Sequence, residues 1–448
     1  MKTVITYGVF DLFHEGHKNL IQRAKALGDR LIVGVITEQF AYERGKYTIA
    51  DSIQIRMANV LSCPEVDEVI VEDHFGQKIE DVLRYHADIF AIGDDWLGKF
   101  DYLKEYCEVV YLPRTPGISS TSLRLGGGNP LRLGIIGCGR IAERFLREAA
   151  FLREVLVTDF YHPNPETSAS VRHFREHNPS VRLARTPEKL FDQVDAVYIA
   201  TPHEFHAELT RDAIQGNRHV LCEKPLAFRK EEAEKLFQAA EERHLVLMEG
   251  IKTAYCPGFC RLVSLCRSGV IGEICDIDAV FTRLTDIHLR EWNNQQFGGS
   301  FTEFGSYVLL PVVKLMNHKE VNWQFFSIWE NGVDSFTRVQ FSWKGGTAAG
   351  RTGIGVKSHG TLVISGTKGF VEVEAPWWKT AHFSIGYEDP NKRDSFSFPF
   401  EGDGLRYEIA DFVCRIRGED SRAYKLLPEE SIRIAEIYED FQNYRKSL

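Results

Sequence analysis

A buried strand, a glycine turn and an amphipathic helix open the chain, and the same succession starts again after residue 130; this restart restricts the possible folds more than any other feature. Residues 3–7 and 131–136 are short apolar runs, and helical patterns follow them at 17–27 and at 140–151. Apolar runs that alternate with helical stretches predict parallel sheets with crossover helices. We therefore expect two separate α/β domains.

The segment 125–130, Leu-Gly-Gly-Gly-Asn-Pro, separates the two alternating regions and predicts a linker, because three glycines and a proline continue neither a helix nor a strand easily. From about residue 272 the pattern changes to alternating segments at 274–283, 336–343, 360–373 and 383–386, which predict antiparallel strands. A last helix is predicted at 428–445. The predicted fold class is α/β, with a Rossmann-like domain at 1–124, a second Rossmann domain at 131–252 and an α+β domain with a large, mostly antiparallel sheet at 253–448.

Composition excludes several classes of protein. The net charge of −9 comes from 54 basic and 63 acidic residues without a long single-sign block, so we expect no nucleic-acid partner. No signal segment and no apolar run of about 18 residues is visible, which favours the cytoplasm and no membrane contact. The nine cysteines lack a C-x-x-C pair, and the spacing of Cys256, Cys260 and Cys266 fits no common zinc pattern. We expect reduced thiols and no protein-held metal.

The string from Tyr7 to His17, YGVFDLFHEGH, lies between the first strand and the first helix. A helix N-terminus offers unpaired backbone N–H groups and the positive end of the dipole, so a triphosphate can rest there. His14 and His17 add donors for charge that develops on phosphate oxygens, and Gly8 and Gly16 let the backbone approach closely. The position and the residue types together indicate nucleotidyl transfer.

Two further strings make this interpretation specific: IGDDWLGK at 92–99 and RTPGISST at 114–121. With them the sequence resembles the glycerol-3-phosphate cytidylyltransferase family, within the H-x-G-H nucleotidyltransferases, over 1–124. The resemblance implies that CTP, with Mg²⁺ carried on its phosphates, is joined to a sugar or polyol phosphate and that pyrophosphate is released. The substrate phosphate would be the nucleophile. Where the family commonly has threonine this chain has Val9, so one side-chain hydrogen bond is lost there, and we expect the choice of acceptor phosphate to differ from that of the family.

The resemblance assigns catalytic roles to His14, His17, Lys46 and Arg114. It assigns CTP binding to Tyr7, Gly8, Val9, Phe10, His14, His17, Arg56, Asp94, Trp96, Arg114, Gly117, Ile118, Ser119, Ser120 and Thr121. Lys46 and Arg56 correspond to a loop lysine and a following arginine that face phosphate charge.

The second glycine turn, Gly137-Cys-Gly139-Arg140-Ile141-Ala142, follows a strand and opens a helix, which is the context of a dinucleotide fingerprint. The usual acidic partner of the ribose lies about 20 residues after the glycine turn, and Asp159 has that spacing. When the end of the second strand is aligned with the usual pattern, however, His162 occupies the position of the acidic residue. A missing carboxylate removes the repulsion that would exclude a 2′-phosphate, so NADPH fits at least as well as NADH.

Three more strings, DAVYIATPH at 195–203, CEKP at 222–225 and GGSFTEFGSY at 298–307, resemble the glucose–fructose oxidoreductase and inositol dehydrogenase (Gfo/Idh/MocA) family over 131–448. The resemblance makes Lys224 the central catalytic residue, with Tyr307 as proton donor and Glu303, where aspartate is usual, orienting the sugar. It implies a homo-oligomer, a dimer or tetramer, formed through an open sheet. The cofactor-binding residues would be Gly137, Gly139, Arg140, Ile141, Ala142, His162, Thr201, Pro202, His203, His206, Glu223, Lys224 and Pro225, although one of the two histidines 203 and 206 is expected to be structural.

Fusion of the two activities suggests that one enzyme makes the substrate of the other, since covalent linkage raises local concentration. The leading hypothesis is that CTP activates a ketose phosphate, such as fructose 6-phosphate, and that NAD(P)H then reduces the CDP-sugar to a CDP-polyol for a capsule or teichoic acid-like polymer. Reduction before coupling is equally consistent with the sequence. Alternatives are a glycerol-3-phosphate cytidylyltransferase fused to a dehydrogenase of a different sugar, or to a second half that is structural and not catalytic.

Overall fold

The computed structural model of this chain describes residues 2–13, 15–43, 49, 51–74, 76–113, 130–316, 320–398, 400–418 and 424–447. They form two compact units, Met1–Asn129 and Pro130–Leu448. Each unit is described by itself. The linker at 125–130 and the division of the second unit at residue 252 stay predictions. Among the described helices, none is long and apolar enough to cross a lipid bilayer.

The first unit contains a five-stranded sheet in the order β3-β2-β1-β4-β5, and every pair in it is parallel. Its strands are β1 Thr3–Gly8, β2 Arg30–Ile36, β3 Glu68–Glu72, β4 Ile89–Gly93 and β5 Glu108–Leu112. Its helices are Glu15–Lys25, Glu38–Glu43, Ile53–Leu61 and Gln77–Arg84, with short 3-10 turns at Asp94–Trp96 and Asp101–Glu105. The strand order reverses between β1 and β4, and such a switch point places a crevice at the carboxyl ends of those strands.

Both faces of this sheet are covered, which is why its strands are continuous apolar runs. Val33 and Val35 of β2 are buried in one core, and Ile32 is buried in the other. A parallel sheet that is buried on both sides needs apolar residues at consecutive positions. The alternation of strands and helices predicted from the sequence is therefore confirmed for this unit.

The second unit begins with a six-stranded parallel sheet in the order β11-β10-β9-β6-β7-β8. Its strands are β6 Leu131–Ile136, β7 Val155–Tyr161, β8 Arg182–Leu183, β9 Ala196–Ile199, β10 His219–Glu223 and β11 Leu247–Gly250. The helices around it are Arg140–Ala149, Ala169–His177, Pro187–Phe191, His206–Gln215 and Lys230–Glu242. This is the second Rossmann-like fold that the restart of the alternation predicted.

A mixed eight-stranded sheet completes the second unit, in the order β13-β14-β15-β12-β16-β17-β18-β19. Its strands are β12 Ile274–Thr282, β13 Asn322–Glu330, β14 Val333–Trp343, β15 Gly346–Gly353, β16 Leu362–Gly366, β17 Phe370–Val373, β18 His382–Gly386 and β19 Arg393–Ser397. The helices of this part are Pro257–Arg267, Arg290–Asn293, Ser300–Leu315, Leu405–Ile416 and Pro428–Lys446. Strands β12 and β15 are parallel and the other pairs are antiparallel, so the prediction of a mostly antiparallel sheet is confirmed.

The sequence prediction was wrong in one detail of this sheet. Residues 360–373 were expected to form one alternating segment, but the structure contains two strands, β16 and β17, joined by a tight turn. The turn consists of residues 367–369, across which the Gly366 N–H donates to the Gly369 carbonyl at 2.8 Å. The buried positions change from Leu362 and Ile364 to Val371 and Val373 across this turn, a change of phase that the sequence prediction overlooked.

The helix Ser300–Leu315 packs on strands β12, β14 and β15. Gly350 of β15 permits this contact, because a Cβ at residue 350 would lie 2.9 Å from a side-chain carbon of Val308. Buried Asp334 fixes the first turn of the helix, since it accepts hydrogen bonds from the Phe301 N–H at 2.8 Å and from the Ser300 hydroxyl at 2.7 Å. A carboxylate at a helix N-terminus is favourable for the exposed N–H groups and for the dipole.

Candidate active sites

The loop after β1 in the first unit has an unusual backbone. Phe10 and Leu12 both have positive φ values, 53° and 46°, in the left-handed region that side chains rarely adopt. Asp51 holds the loop, because its carboxylate accepts the Leu12 N–H at 3.1 Å and its own N–H donates to Asp11 at 3.0 Å. His17, on the first helix, packs against the Phe10 ring with centroids 5.3 Å apart. The structure thus brings His17 and the β1 loop together at the switch point.

Arg56 is held by contacts within the first unit. Its side chain is fully buried, and its guanidinium donates to the carbonyls of Val9 at 2.8 Å, Ile36 at 2.7 Å and Asp51 at 2.9 Å. Its Nη2 also lies 3.1 Å from a carboxylate oxygen of Glu38, and a contact with a nucleotide phosphate stays a prediction. Arg56 therefore ties the end of β2 to the β1 loop, which makes it a positioning residue.

Tyr7 has a buried side chain with two polar neighbours. Its hydroxyl donates to Asp81 at 2.8 Å, and the Lys78 ammonium lies 4.5 Å from its ring centroid. Burial and the carboxylate of Asp81 raise the pKa of Tyr7 well above its ordinary value, so the phenol stays neutral. The Tyr7 side chain belongs to the core of the first unit, and its predicted contact with CTP stays a prediction.

Asp94 and Trp96 lie in the 3-10 turn directly after β4, on the other side of the switch point. The Trp96 ring packs against Phe100 at 5.7 Å between centroids, and the Lys99 ammonium lies 5.2 Å from the Trp96 centroid. An aromatic face at this edge suits a nucleobase or a sugar. The predicted residues that lie outside the described residues are His14, Lys46, Arg114, Gly117, Ile118, Ser119, Ser120 and Thr121.

The second unit contains a cavity of about 1170 Å³ at the carboxyl ends of its parallel strands. Gly137 opens the turn after β6 with φ 99°, and a Cβ there would lie 2.5 Å from the Ala200 carbonyl oxygen, so only glycine fits. Most residues predicted from the two motifs line this one cavity. They are Gly137, Gly139, Arg140, Ile141, His162, Thr201, Pro202, His203, His206, Glu223, Lys224, Glu303 and Tyr307.

Lys224 lies at the centre of a polar cluster in the cavity wall. Its ammonium donates to the Glu303 carbonyl at 2.8 Å and lies 3.7 Å from a Glu303 carboxylate oxygen. The Tyr307 ring centroid is 5.9 Å from the same ammonium, and His203 Nε2 is 3.6 Å from the other Glu303 oxygen. Glu303 and Tyr307 share one face of the helix Ser300–Leu315, as their four-residue spacing predicted. A carbonyl group beside these side chains would meet one cation and one phenol.

The electrostatics of this cluster favour neutral partners around Lys224. Burial and the nearby ammonium lower the pKa of His203 well below its ordinary value, so the ring is neutral. Burial and the carboxylates of Glu223 and Glu303 raise the pKa of Tyr307 well above 10, which keeps its proton in place. Burial also raises the pKa of Glu223, which accepts a hydrogen bond from the Tyr198 hydroxyl at 2.6 Å.

Three residues predicted to bind the cofactor have other contacts. His206 is fully buried, with Nδ1 2.8 Å from the Pro225 carbonyl and Nε2 2.9 Å from the Thr201 carbonyl. Burial lowers its pKa to about 4, and the neutral ring joins the loops after β9 and β10. Ala142 is buried in the core, and Pro225 does not line the cavity. His206 therefore lines the cavity with both ring nitrogens already engaged, whereas Ala142 and Pro225 do not line it.

The cavity fits a nicotinamide dinucleotide. The Gly137 turn leaves room for a pyrophosphate at the N-terminus of the helix Arg140–Ala149. Asp159 is turned away from the cavity and pairs with Arg182 at 2.9 Å, whereas His162 lines the cavity. The buried atoms Thr201 Oγ1 and His203 Nδ1 have no hydrogen-bond partner within the described ranges. A bound cofactor or substrate would give these two atoms partners.

Several residues of the cavity wall were not predicted from the sequence. Phe281, Arg283, Lys357 and Trp378 come from β12 and from loops of the mixed sheet. They belong to no recognisable string, and the alternating pattern of β12 carries no signal for the role of Arg283. Within the parts of the chain that the structure describes, no group of three or more His, Cys, Asp or Glu side chains is arranged to hold a metal ion.

Two family models match the chain. The cytidylyltransferase-like model matches residues 5–126, and the model of an oxidoreductase family with an NAD-binding Rossmann fold matches residues 131–251. Glycerol-3-phosphate cytidylyltransferase of Bacillus spizizenii is 53% identical over 124 residues, which are 28% of this chain and 95% of that protein. The scyllo-inositol 2-dehydrogenase (NADP⁺) of Bacillus subtilis is 27% identical over 320 residues, which are 69% of this chain and 95% of that protein.

A solved structure supports the same assignment for the second unit. A 3-ketoreductase from Actinomadura kijaniata, in complex with NADP and TDP-benzene, is similar with a TM-score of 0.59 and 25% identity, covering 69% of this chain and 96% of that chain. Both family resemblances stated from the sequence are thereby confirmed. The chain belongs to the cytidylyltransferase-like family in its first unit and to the NAD-binding Gfo/Idh/MocA oxidoreductase family in its second, and it is a bifunctional enzyme.

Proposed function

We propose that this enzyme makes a CDP-activated polyol. The first unit transfers a cytidylyl group from CTP to a ketose phosphate, such as fructose 6-phosphate, and the second unit reduces the carbonyl of the resulting CDP-ketose with NAD(P)H. The product would serve synthesis of a capsule or teichoic acid-like polymer. The observation that carries the proposal is the cluster of Lys224, Glu303 and Tyr307 in a cavity of cofactor size, in the same chain as a cytidylyltransferase.

The side chains of the second unit have complementary roles in this reaction. Bound NAD(P)H supplies the hydride. Lys224 donates a hydrogen bond to the carbonyl oxygen, where negative charge develops, and neutral Tyr307 delivers the proton that completes the hydroxyl group. Glu303 fixes the Lys224 ammonium through its carbonyl at 2.8 Å, and its carboxylate is placed to accept from a sugar hydroxyl.

We propose NADPH as the cofactor. His162 lines the cavity, whereas the buried Asp159 pairs with Arg182 and does not line it, so no carboxylate from the end of β7 would repel a 2′-phosphate. The B. subtilis relative is named as NADP⁺-dependent, and the A. kijaniata ketoreductase is solved with NADP. That ketoreductase also holds a thymidine-diphosphate compound, which supports a nucleotide-linked carbonyl substrate for this second unit.

In the first unit, the acceptor phosphate would attack the α-phosphorus of CTP. His17 and the predicted His14 would stabilise the developing charge beside the strained β1 loop, and Mg²⁺ would enter on the triphosphate. Asp94 and Trp96 border the same crevice and would contact the base or the acceptor. The 53% identity with glycerol-3-phosphate cytidylyltransferase favours glycerol 3-phosphate as an alternative acceptor.

The order of the two steps can be tested by following NADPH oxidation with fructose 6-phosphate and Mg²⁺ in the presence and absence of CTP. The proposal expects oxidation only after CTP is added, with pyrophosphate released first. NADPH oxidation at the same rate without CTP would show that reduction precedes coupling. No NADPH oxidation in either mixture would contradict the ketose assignment.

A further inference from the structure

Two cations lie in the cavity of the second unit beside the catalytic cluster and have no role in the mechanism above. Arg283 directly follows β12 (Ile274–Thr282), and Lys357 lies in the loop after β15 (Gly346–Gly353). We infer that Arg283 and Lys357 bind a phosphate group of the molecule that the second unit reduces. This inference rests on the proposed reductase function and names its substrate class, a carbonyl compound that carries a phosphate ester or a diphosphate.

Both cations are anchored at the same point of the fold. The Lys357 ammonium donates to the Thr282 carbonyl at 3.4 Å, and the adjacent Ser358 N–H donates to the Thr282 hydroxyl at 2.7 Å. Thr282 is buried, and Arg283 is the next residue in the chain. The end of β12 therefore presents two positive groups from one rigid position.

These cations have weaker counter-charges than two others in the cavity wall, Arg290 and Lys224. Arg290 is matched by Glu204 at 2.5 Å, and Lys224 by Glu303. By contrast, Lys357 has no carboxylate within ion-pair distance in the described part of the chain, where its polar contact is the Thr282 carbonyl.

Arg283 has to share its carboxylate. Its guanidinium lies 3.8 Å from Glu291, and the same Glu291 oxygen lies 3.5 Å from Arg140. Two guanidinium groups thus share one carboxylate oxygen, and the Lys357 ammonium, held at the Thr282 carbonyl, adds a further positive charge next to Arg283. A phosphate dianion would balance the remaining charge, in a chain whose overall net charge is −9.

The position of the pair suits a substrate that also reaches Lys224. The Arg283 guanidinium lies 5.3 Å from the Phe304 ring centroid, next in sequence to Glu303. Phe281, two residues before Arg283, stacks on Tyr307 with ring centroids 4.9 Å apart. A guanidinium held against a ring keeps its N–H edge free to bind phosphate oxygens in a bidentate manner. A phosphate bound there would orient the attached carbonyl towards the catalytic cluster.

The test compares Arg283→Gln, Lys357→Gln and the double variant with wild type. Lys235→Gln is the matched control, because Lys235 is exposed on the helix Lys230–Glu242, does not line the cavity and pairs with Glu231 at 2.6 Å. Each cavity variant is expected to raise KM for the phosphorylated ketose about tenfold or more, the loss expected for one charge-assisted contact, with kcat changed less than about threefold. KM for the unphosphorylated ketose and Kd for NADPH should not change.

Parallel assays with the ketose phosphate and with the CDP-ketose identify the source of the phosphate, since a rise in KM for either one supports the inference. Equal effects on the phosphorylated and unphosphorylated ketose would overturn it. A rise in Kd for NADPH without a rise in KM for the ketose would also overturn it, because the cations would then serve the cofactor.

If the wild-type protein reduces none of these compounds, the proposed reductase function fails, and calorimetry still decides the inference. Glucitol 6-phosphate is titrated into the NADPH-loaded full chain of wild type and of the double variant. The first unit is identical in both proteins, so any difference belongs to the second unit. Binding weakened about tenfold in the double variant supports the phosphate site, and equal binding overturns it.

Discussion

Replacement of Lys224 by methionine should abolish most of the reductase activity while the protein stays folded. The lysine is 8% exposed, and its ammonium contacts the carbonyl and the carboxylate of Glu303. Methionine keeps the apolar stem in place and removes only the charge and the donor. No other cation in the described cavity wall contacts Glu303 or lies over Tyr307, so we expect no substitute for the lost group.

The magnitude follows from the role of the ammonium. One preorganised donor to a developing oxyanion contributes about 3–4 kcal/mol, and a positioned acid–base group about 10²–10⁴-fold. We therefore expect kcat for carbonyl reduction to fall by about 10²–10⁴. Glu303 loses a partner, but its side chain is 23% exposed to the cavity, so the cost in unfolding free energy should lie below the roughly 3–5 kcal/mol of a fully buried pair.

The assay follows NADPH oxidation at saturating ketose substrate and measures Kd for NADPH by quenching of its fluorescence. Cytidylyl transfer in the same preparation is the internal control, because that activity belongs to the first unit. Turnover of Lys224→Met within tenfold of wild type, with NADPH binding intact, would refute the catalytic assignment. It would favour a structural or regulatory second unit.

Three further predictions concern stability and pH. Asp334→Ala leaves buried donors such as the Phe301 N–H without an acceptor and should lower the unfolding free energy of the second unit by about 3–5 kcal/mol in urea, followed by the fluorescence of the six tryptophans after residue 130. In Arg56→Lys the shorter set of donors cannot bond all three buried carbonyls. This variant should raise KM for CTP several-fold and lower the urea concentration at which half of the cytidylyltransferase activity, followed as pyrophosphate release, is lost. Unchanged values would contradict the positioning role. Burial raises the pKa of Glu249 from 4.5 to about 7, so the folded state keeps a proton that the unfolded chain releases. The unfolding free energy should therefore fall by up to about 3 kcal/mol as pH rises from 4.5 to 7. The slope of this fall measures the protons released on unfolding, and Glu249→Gln should lower that number by about one, whereas Glu242→Gln, at an exposed position, should leave it unchanged.

The sheets could be predicted because burial on both faces leaves a direct trace in the sequence. Strand β2 is apolar from Leu31 to Ile36, and no other common element needs such a short continuous run. The reversal between β16 and β17 left a fainter trace, since the buried positions change from Leu362 and Ile364 to Val371 and Val373 across the turn at 367–369, and each strand is too short to establish its own alternation.

The catalytic cluster could be predicted because each member lies in a short string at the end of a strand or at the start of a helix. Chain order alone places Lys224 after β10, and the four-residue spacing places Glu303 and Tyr307 on the same face of their helix. The direction of a side chain is set by tertiary contacts, so the sequence could not reveal that Arg56 points into the core. Arg283 and Lys357 come together because they follow strands that are far apart in sequence. Their shared place in the cavity was therefore not predicted from the sequence either.

The most direct test of the bifunctional assignment is mass spectrometry of the products that the purified chain forms from CTP, Mg²⁺ and a panel of phosphorylated ketoses and polyols, each with and without NADPH. We predict a CDP-ketose without NADPH and its replacement by a CDP-polyol, heavier by two hydrogens, when NADPH is present. CDP-polyols that form only from polyol phosphates, with no CDP-ketose under any condition, would contradict the proposed pathway.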